Sequence, residues 1–428
     1  MTSEAEFRWP PLLWQAMCAV SLGGYFAVSF WVRCERTPAD FLGFFGVFVL
    51  LSSVWGITVW MARRDPPGAT LIFLFAILFR LALLPAGDSR TLLYSREIWR
   101  CLWDGHSWQA GVNPMRVAPS EVKAEAYGGE VWNNIYRQVE PRDRPSPYPA
   151  AAQAVFSLAH GIKPGSVYAF KGVILVFDLC GVWLVWLLAR RTGAGNAPVL
   201  AYAWNPLVIK EFAGSAHIDA AWISLALAGI YFRSSLGAAL AALVRPSGLL
   251  LAAAVIKRGG WKSLAAPVIA LVALYAQFGS EPEAWIGRGT FNAAIFRLIP
   301  LENSGALAAV AGVLVATAFY LRRRGDESTE SLTGQALWLT GAFLLASPRL
   351  TPASLTWILP FAALRWSWFW LVLSGSIFLS YHVFAGFPEL KTLTAIEYGI
   401  ALAGWMLLKR LCAKPQVVEA ASRRESLT

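Results

Sequence analysis

The sequence predicts an all-α polytopic integral membrane protein, and three observations carry that expectation. Hydrophobic residues make up 57% and charged residues 15% of the 428 positions, against about 45–50% apolar and about 25% charged in ordinary soluble domains. The apolar residues gather into successive runs, many close to the roughly 20 residues a helix needs to cross a bilayer. The net charge of +11 arises from short basic clusters between those runs, as the cytoplasmic bias of Lys and Arg predicts, so it does not indicate nucleic-acid affinity.

Taken in order, the acidic start MTSEAEFRWPP is followed by an apolar run from Leu12 to Val32. That run exceeds a signal-peptide core of about 7–15 residues, so it is expected to be an uncleaved first span. About twelve spans are expected, near 11–32, 41–61, 69–86, 166–189, 195–209, 216–232, 262–278, 303–321, 332–347, 353–364, 367–384 and 394–410. The clusters Arg63-Arg64, Arg190-Arg191, Arg233, Lys257-Arg258 with Lys262, Arg322-Arg323-Arg324 and Lys409-Arg410 with Lys414 all reach the cytoplasmic side on one condition. The segment 235–256 must enter the membrane and return, a re-entrant hairpin broken at Pro246 with Arg245 at its tip, because proline interrupts a helix and each arm is too short to span. A single kinked span is the alternative, and it would invert everything downstream. Residues 1–414 then form one transmembrane domain, with 87–165 as a large extracytoplasmic loop and 415–428 as a disordered cytoplasmic tail. The five cysteines, Cys18, Cys34, Cys101, Cys180 and Cys412, show neither a CxxC pair nor metal spacing, so no metal site and no disulfide framework is expected.

The longest hydrophilic stretch, Asp88 to Phe156, mixes acids, arginines, tryptophans and turn formers. Leu92 to Asp104 has helical spacing, with Tyr94, Ile98, Cys101 and Leu102 on one face and Glu97, Arg100 and Asp104 on another. This describes an amphipathic helix on a membrane surface, ending at Asp104-Gly105, with a turn at Gly111-Val112-Asn113-Pro114 soon after.

Charges inside apolar runs cost roughly 2.5–3.5 kcal/mol each on insertion scales, so each implies a partner or a cavity. Arg80, Lys171, Asp178 and Arg245 stand out, with Lys171 and Asp178 two turns apart on one helix face and open to an ion-pair or snorkelling reading. In Ala201 to Trp222, Trp204-Asn205-Pro206 ends one run and His217 and Asp219 open the next. Positions two apart diverge by about 200° around a helix, so one faces a cavity and the other caps the helix unless the turn is irregular. A third stretch, Ser347-Pro348-Arg349-Leu350-Thr351-Pro352, holds a guanidinium suited to a phosphate, or equally to snorkelling.

At these three stretches the chain resembles the GT-C superfamily of polytopic glycosyltransferases, and most closely their bacterial polyprenyl-phosphate-mannose-dependent branch. That branch carries a loop pattern close to S-D-D-x-Y-R-Y-x-W-D-G, then G-x-N-P-Y and Y-P-P-x-x-Q. Its counterparts here are Ser95 to Gly105, Gly111-Val112-Asn113-Pro114-Met115, and Tyr148-Pro149-Ala150 with Gln153. A Trp-Asn-Pro, Glu, His-x-Asp stretch is matched by Trp204-Asn205-Pro206, Glu211, His217 and Asp219, and a late Pro-rich segment by Ser347 to Pro360. The likeness covers roughly residues 88–365. The departures are Arg96-Glu97 for paired aspartates, Cys101 for a tyrosine, NPM for NPY and YPA for YPP.

The resemblance implies a GT-C-like bundle in the plasma membrane and inverting transfer of a hexose, mannose by analogy, from a polyprenyl-phosphate donor to an extracytoplasmic glycan or lipid-linked acceptor. One carboxylate suffices as base, because a phosphate leaves as a stable anion and needs cationic stabilisation rather than a proton. Glu97 is the first candidate for that base, although pairing with Arg100 would explain it structurally. Asp88 and Asp104 are the reserves, Asp104 also serving as a turn cap. Arg349 and Arg245 are candidates for the donor phosphate. Arg100, Trp103, Asn113, Tyr148, Gln153, Trp204, Glu211, His217 and Asp219 are candidates for substrate contact. No cofactor is expected. The competing readings are a lipid or sugar transporter and a non-catalytic membrane partner derived from such an enzyme.

Overall fold

A computed structural model describes residues 8–86, 91–122, 128–252, 261–279, 290–293 and 328–412, with isolated residues between 311 and 326. Among them the chain is helical, and its one β feature is a single bridge between Phe291 and Arg349. Helix α1 (Pro11–Phe26) runs on through a π turn (Ala27–Trp31), followed by α2 (Pro38–Ala62) and α3 (Ala69–Leu83). Thr37 starts α2 by accepting from the Asp40 amide, with Pro38 behind it at the first helical position, where its missing N–H costs nothing.

Next come α4 (Glu97–Gln109), α5 (Glu130–Gln138), α6 (Ala150–Ile162) and the long α7 (Val167–Arg191). Ser166 caps α7, and Arg190-Arg191 complete its last turn, where cations meet the free carbonyls. Helix α8 (Ala197–Ala203) stops at Trp204. Asn205 then starts α9 (Pro206–Ile209) by accepting from the Leu207 and Val208 amides, so the Trp-Asn-Pro motif is helix punctuation. A π turn (Lys210–Gly214) follows, and α10 (Asp219–Phe232) leaves at 119° to the preceding pair. The remaining helices are α11 (Ser235–Val244), α12 (Ala265–Phe278), α13 (Thr329–Ala346), α14 (Pro352–Leu355), α15 (Leu359–Leu364), α16 (Trp368–Ser376), α17 (Tyr381–Phe384) and α18 (Lys391–Cys412).

Among the described residues three helices are long and apolar enough to cross a membrane, Pro11–Trp31, Pro38–Ala62 and Val167–Arg191, with the bent pair around residues 215–218 as a fourth. Their outer faces present large apolar groups, including Val49, Leu50, Ile57, Val176 and Trp183. A contiguous surface of that kind belongs against lipid, so the protein is membrane-embedded. Most other expected runs appear as helices of 4–17 residues, because Pro and Gly divide them.

The charges buried in the bundle are partnered differently from the sequence expectation. Asp178 pairs with Arg80, which adds bonds to the Ala76 and Ala203 carbonyls, while Lys171 donates to the carbonyls of Leu84 (3.1 Å) and Ala86 (2.7 Å). Both lysine and arginine thereby satisfy backbone ends that the low dielectric would otherwise penalise. Helix α11 ends at Arg245, whose backbone is extended, and Pro246 opens a 3-10 turn that folds straight back. A Cβ on Gly248 would lie 2.4 Å from the Ala241 carbonyl carbon, so glycine is what lets the two arms touch. Residues 253–256, the rest of the proposed hairpin, lie outside the described residues.

Candidate active site

The loop before α4 is locked onto the break between α9 and α10. Ser215 Oγ donates to the Leu93 carbonyl at 3.1 Å, and Gly214 approaches that same carbonyl closely. This delivers Glu97, the first residue of α4, to the break. The helix begins later than the spacing suggests and does not stop at Gly105. Glycine there serves the packing of α4 on α6, since a Cβ would sit 2.6 Å from the Phe156 carbonyl oxygen. The polar face also departs from expectation. Arg100 and Asp104 are buried and pair with each other at 2.8 Å, so α4 is covered on both sides rather than lying on a surface. Arg100 adds the Pro141 and Arg144 carbonyls, and Asp104 accepts from Ser146 and Gln153, whose amide also bonds Ser146 and the Tyr148 carbonyl. Burial pushes the Asp104 carboxyl up even against Arg100, Ser146 and Gln153.

Glu97 itself keeps 53% of its side-chain surface accessible, although most of its neighbours on α4 and at the break at residues 215–218 are buried. Tyr148 donates to its Oε2 at 2.8 Å, and His217 Nδ1 lies 3.5 Å from the same oxygen. Among the described residues no contact falls on Oε1. Burial would raise this carboxyl, but His217, then Arg245 and Tyr148, outweigh it and hold Glu97 well below the usual carboxylate range. Burial and the adjacent carboxylate push the Tyr148 phenol up, so it stays a donor.

Behind Glu97, His217 Nε2 lies 3.2 Å from Glu211 Oε2, and the His217 amide donates to the Glu211 carbonyl at 3.1 Å. Glu211 is buried, with Lys210 Nζ 3.3 Å away and the Tyr381 hydroxyl donating to it. Ala216 is left-handed, at φ 53°. His217 lies outside the helix that Asp219 opens, so the two are not bound to the helical spacing that would send them apart.

Asp219 is buried and accepts from the indoles of Trp222 (3.1 Å) and Trp357 (2.9 Å). It also faces Arg245, with Nε 2.7 Å from Oδ1 and the Nη2 group donating to Oδ2 at 3.3 Å. The guanidinium sits between the rings of Tyr148 and Trp357, about 6 Å from each. Arg349, held by backbone bonds joining Pro348 and Leu350 to Phe291, lies within electrostatic reach of Glu97. The result is one carboxylate with an open oxygen, a cation fixed beside it and a second nearby.

Residues 28–276 match the family described as alpha-(1->6)-mannopyranosyltransferase, N-terminal domain. The chain belongs to that mannosyltransferase family. It is therefore a glycosyltransferase, and the matched region contains Glu97, Tyr148, Glu211, His217, Asp219 and Arg245, while Arg349 lies beyond it. No curated protein and no solved structure matches the chain.

Within this mannosyltransferase the structure brings Glu97, Tyr148, Glu211, His217, Asp219, Arg245 and Arg349 together. Arg100, Asp104 and Gln153 instead staple the loop internally, and Asn113 caps its own turn by accepting from the Met115 amide. Trp103 and Trp204 are core residues, 1% and 4% exposed, so neither offers a face for a sugar to stack on. Asp88 lies outside the described residues. Sequence reasoning missed Lys210, Tyr381 and Trp357 as partners of the cluster. The only available signal was a charged or hydroxyl group in an otherwise apolar run. Among the described residues no group of three or more His, Cys, Asp or Glu is arranged to hold a metal.

Proposed function

We propose that this mannosyltransferase moves mannose from a polyprenyl-phosphate donor to an extracytoplasmic glycan or lipid-linked acceptor with inversion, using Glu97 as the general base. The observation that carries the reading is the asymmetry of Glu97: Oε2 accepts from Tyr148 and faces His217 Nδ1 at 3.5 Å, whereas among the described residues Oε1 has no hydrogen bond or ion pair. The acceptor hydroxyl gives its proton to Oε1 as its oxygen attacks the sugar's anomeric carbon. The bond from that carbon to the phosphate oxygen breaks, and the lipid phosphate leaves as an anion beside Arg245 and Arg349. A carboxylate held so acidic is a weak base at rest. A phosphate entering next to Arg245 offsets part of the cationic field on Glu97 and raises its proton affinity, so the base strengthens once the donor is bound.

The same reading places about twelve spans in a GT-C-like bundle of the plasma membrane, with 235–256 as a re-entrant hairpin presenting Arg245 to the cavity from the membrane side. The fold-back at Pro246 and the position of Arg245 beside Tyr148 support it. The test is transfer from polyprenyl-phosphate mannose to a panel of lipid-linked glycans by purified wild type and Glu97→Gln. The isosteric amide is expected to abolish turnover while leaving donor binding intact. Turnover that survives the substitution rejects Glu97 as base.

A further inference from the structure

The imidazole of His217 sits between two carboxylates. Nδ1 meets Glu97 Oε2 at 3.5 Å and Nε2 meets Glu211 Oε2 at 3.2 Å. A neutral imidazole has one N–H, so one of these contacts would set a lone pair against an anion, and only the imidazolium serves both. Glu211 is in turn immobilised by Lys210 Nζ, which also donates to Ser215 at 2.9 Å, and by the Tyr381 hydroxyl from the far helices. The backbone around the histidine is equally fixed, by its amide bond to Glu211 and the left-handed Ala216 before it.

We propose that His217, anchored by Glu211, is the positioning residue for Glu97: as an ion-pair partner 3.5 Å from Oε2 it draws that oxygen inward and so reserves Oε1 for the acceptor hydroxyl. The inference rests on Glu97 being the base, and goes beyond that reading by assigning a two-residue support drawn from a different part of the chain. The other charged or titratable groups around Glu97 are Tyr148 from the loop before α6, Cys101 on its own helix, Arg245 at the end of α11 and Arg349 from the loop before α14. None of them lies between the two carboxylates. Protonated His217 lends Glu97 a fixed orientation and a permanent counter-charge. Replacing it with a neutral amide removes both together.

The experiment compares wild type, Glu97→Gln, His217→Gln and Glu211→Gln for mannosyl transfer from polyprenyl-phosphate mannose across pH, alongside nitrogen NMR of histidine-labelled protein without substrate. The chain has four histidines, few enough to assign by substitution. His217→Gln is expected to lower kcat by roughly 10- to 100-fold with donor KM little changed, the loss that misplacing a catalytic group by about 1 Å brings. It is also expected to move the acid limb of the rate profile upward by about 1–3 pH units, as removal of an adjacent opposite charge dictates. Glu211→Gln should shift that limb in the same direction by less. In the NMR arm, His217 is doubly protonated in wild type above neutral pH and loses that state in Glu97→Gln and Glu211→Gln. A His217→Gln enzyme that is folded by size-exclusion and thermal melting yet keeps the wild-type acid limb overturns the proposal, as does a neutral His217 in the wild-type spectrum. An active Glu97→Gln enzyme instead rejects the assignment of the base, and the spectra still report whether the histidine bridge exists.

Discussion

Arg245 gives the sharpest quantitative test of how the donor is held. Its fork is split between two tasks: one edge, Nε and Nη2, faces Asp219 at 2.7 and 3.3 Å, while Nη1 has no contact among the described residues and the side chain remains 29% accessible. A guanidinium can hold that carboxylate and still donate to a phosphate. Arg245→Lys keeps the charge but presents a single ammonium point, which must choose between Asp219 and the ligand. The lost charge-assisted hydrogen bond is worth about 1.5–3 kcal/mol, and at 1.4 kcal/mol per tenfold the donor KM rises roughly 10- to 100-fold. Because phosphate is bound before and during transfer, kcat should fall much less than kcat/KM. The assay is initial-rate transfer with the polyprenyl-phosphate mannose concentration varied, with Arg349→Lys run in parallel to show whether the second cation shares the load. A donor KM within twofold of wild type for Arg245→Lys refutes the assignment.

Two further predictions concern the scaffold. Gly105→Ala places a methyl 2.6 Å from the Phe156 carbonyl oxygen and 2.8 Å from its carbon; backbone must move, so thermal stability should drop by the equivalent of about 1–3 kcal/mol, and an unchanged melting temperature would mean α4 and α6 do not meet as described. Arg80→Met leaves the Asp178 carboxylate buried alone, at a cost of about 3–5 kcal/mol, whereas Arg80→Met with Asp178→Leu should recover much of that loss. Thermal melting of the three proteins in one detergent checks it, and equal melting of the single and double variants would refute the pairing.

How far the sequence could be read depended on whether the cause of a feature was local. The break at Pro246 was legible because proline's missing N–H acts on its own turn. The helix carrying Glu97 was legible as well, but its end was not. Gly105 looks like a stop from the inside of the segment, and its reason, the carbonyl of Phe156, is 51 positions away. Arg100 and Asp104 read as a solvated face because periodicity cannot separate a water-exposed charge from a buried one that has found a partner. For Asp178 the ion-pair reading was open but the partner was not legible: Arg80 is 98 residues distant. His217 and Asp219 were found as chemistry-bearing residues, but their joint use required the helix to begin at Asp219 rather than before His217, after a left-handed Ala216 of which alanine gives no sign.

The same distinction decides what the departures from the resembling motif mean. Where paired aspartates were expected, the chain has Arg96-Glu97, and on sequence grounds that replacement threatened the base itself. In the structure the two positions face different surroundings. Arg96 and Glu97 are about equally accessible, 56% and 53%, but Arg96 has Glu140 3.9 Å away, whereas Glu97 meets Tyr148 and His217. In the proposed mechanism the one carboxylate that remains at this position suffices, because a departing phosphate needs no proton donor. Cys101, in place of a tyrosine, is on the buried face, 3% exposed, close to Glu97 and Asp104. Chemistry on this scaffold depends on which face each residue occupies, and that follows from the contact of α4 with the break at residues 215–218.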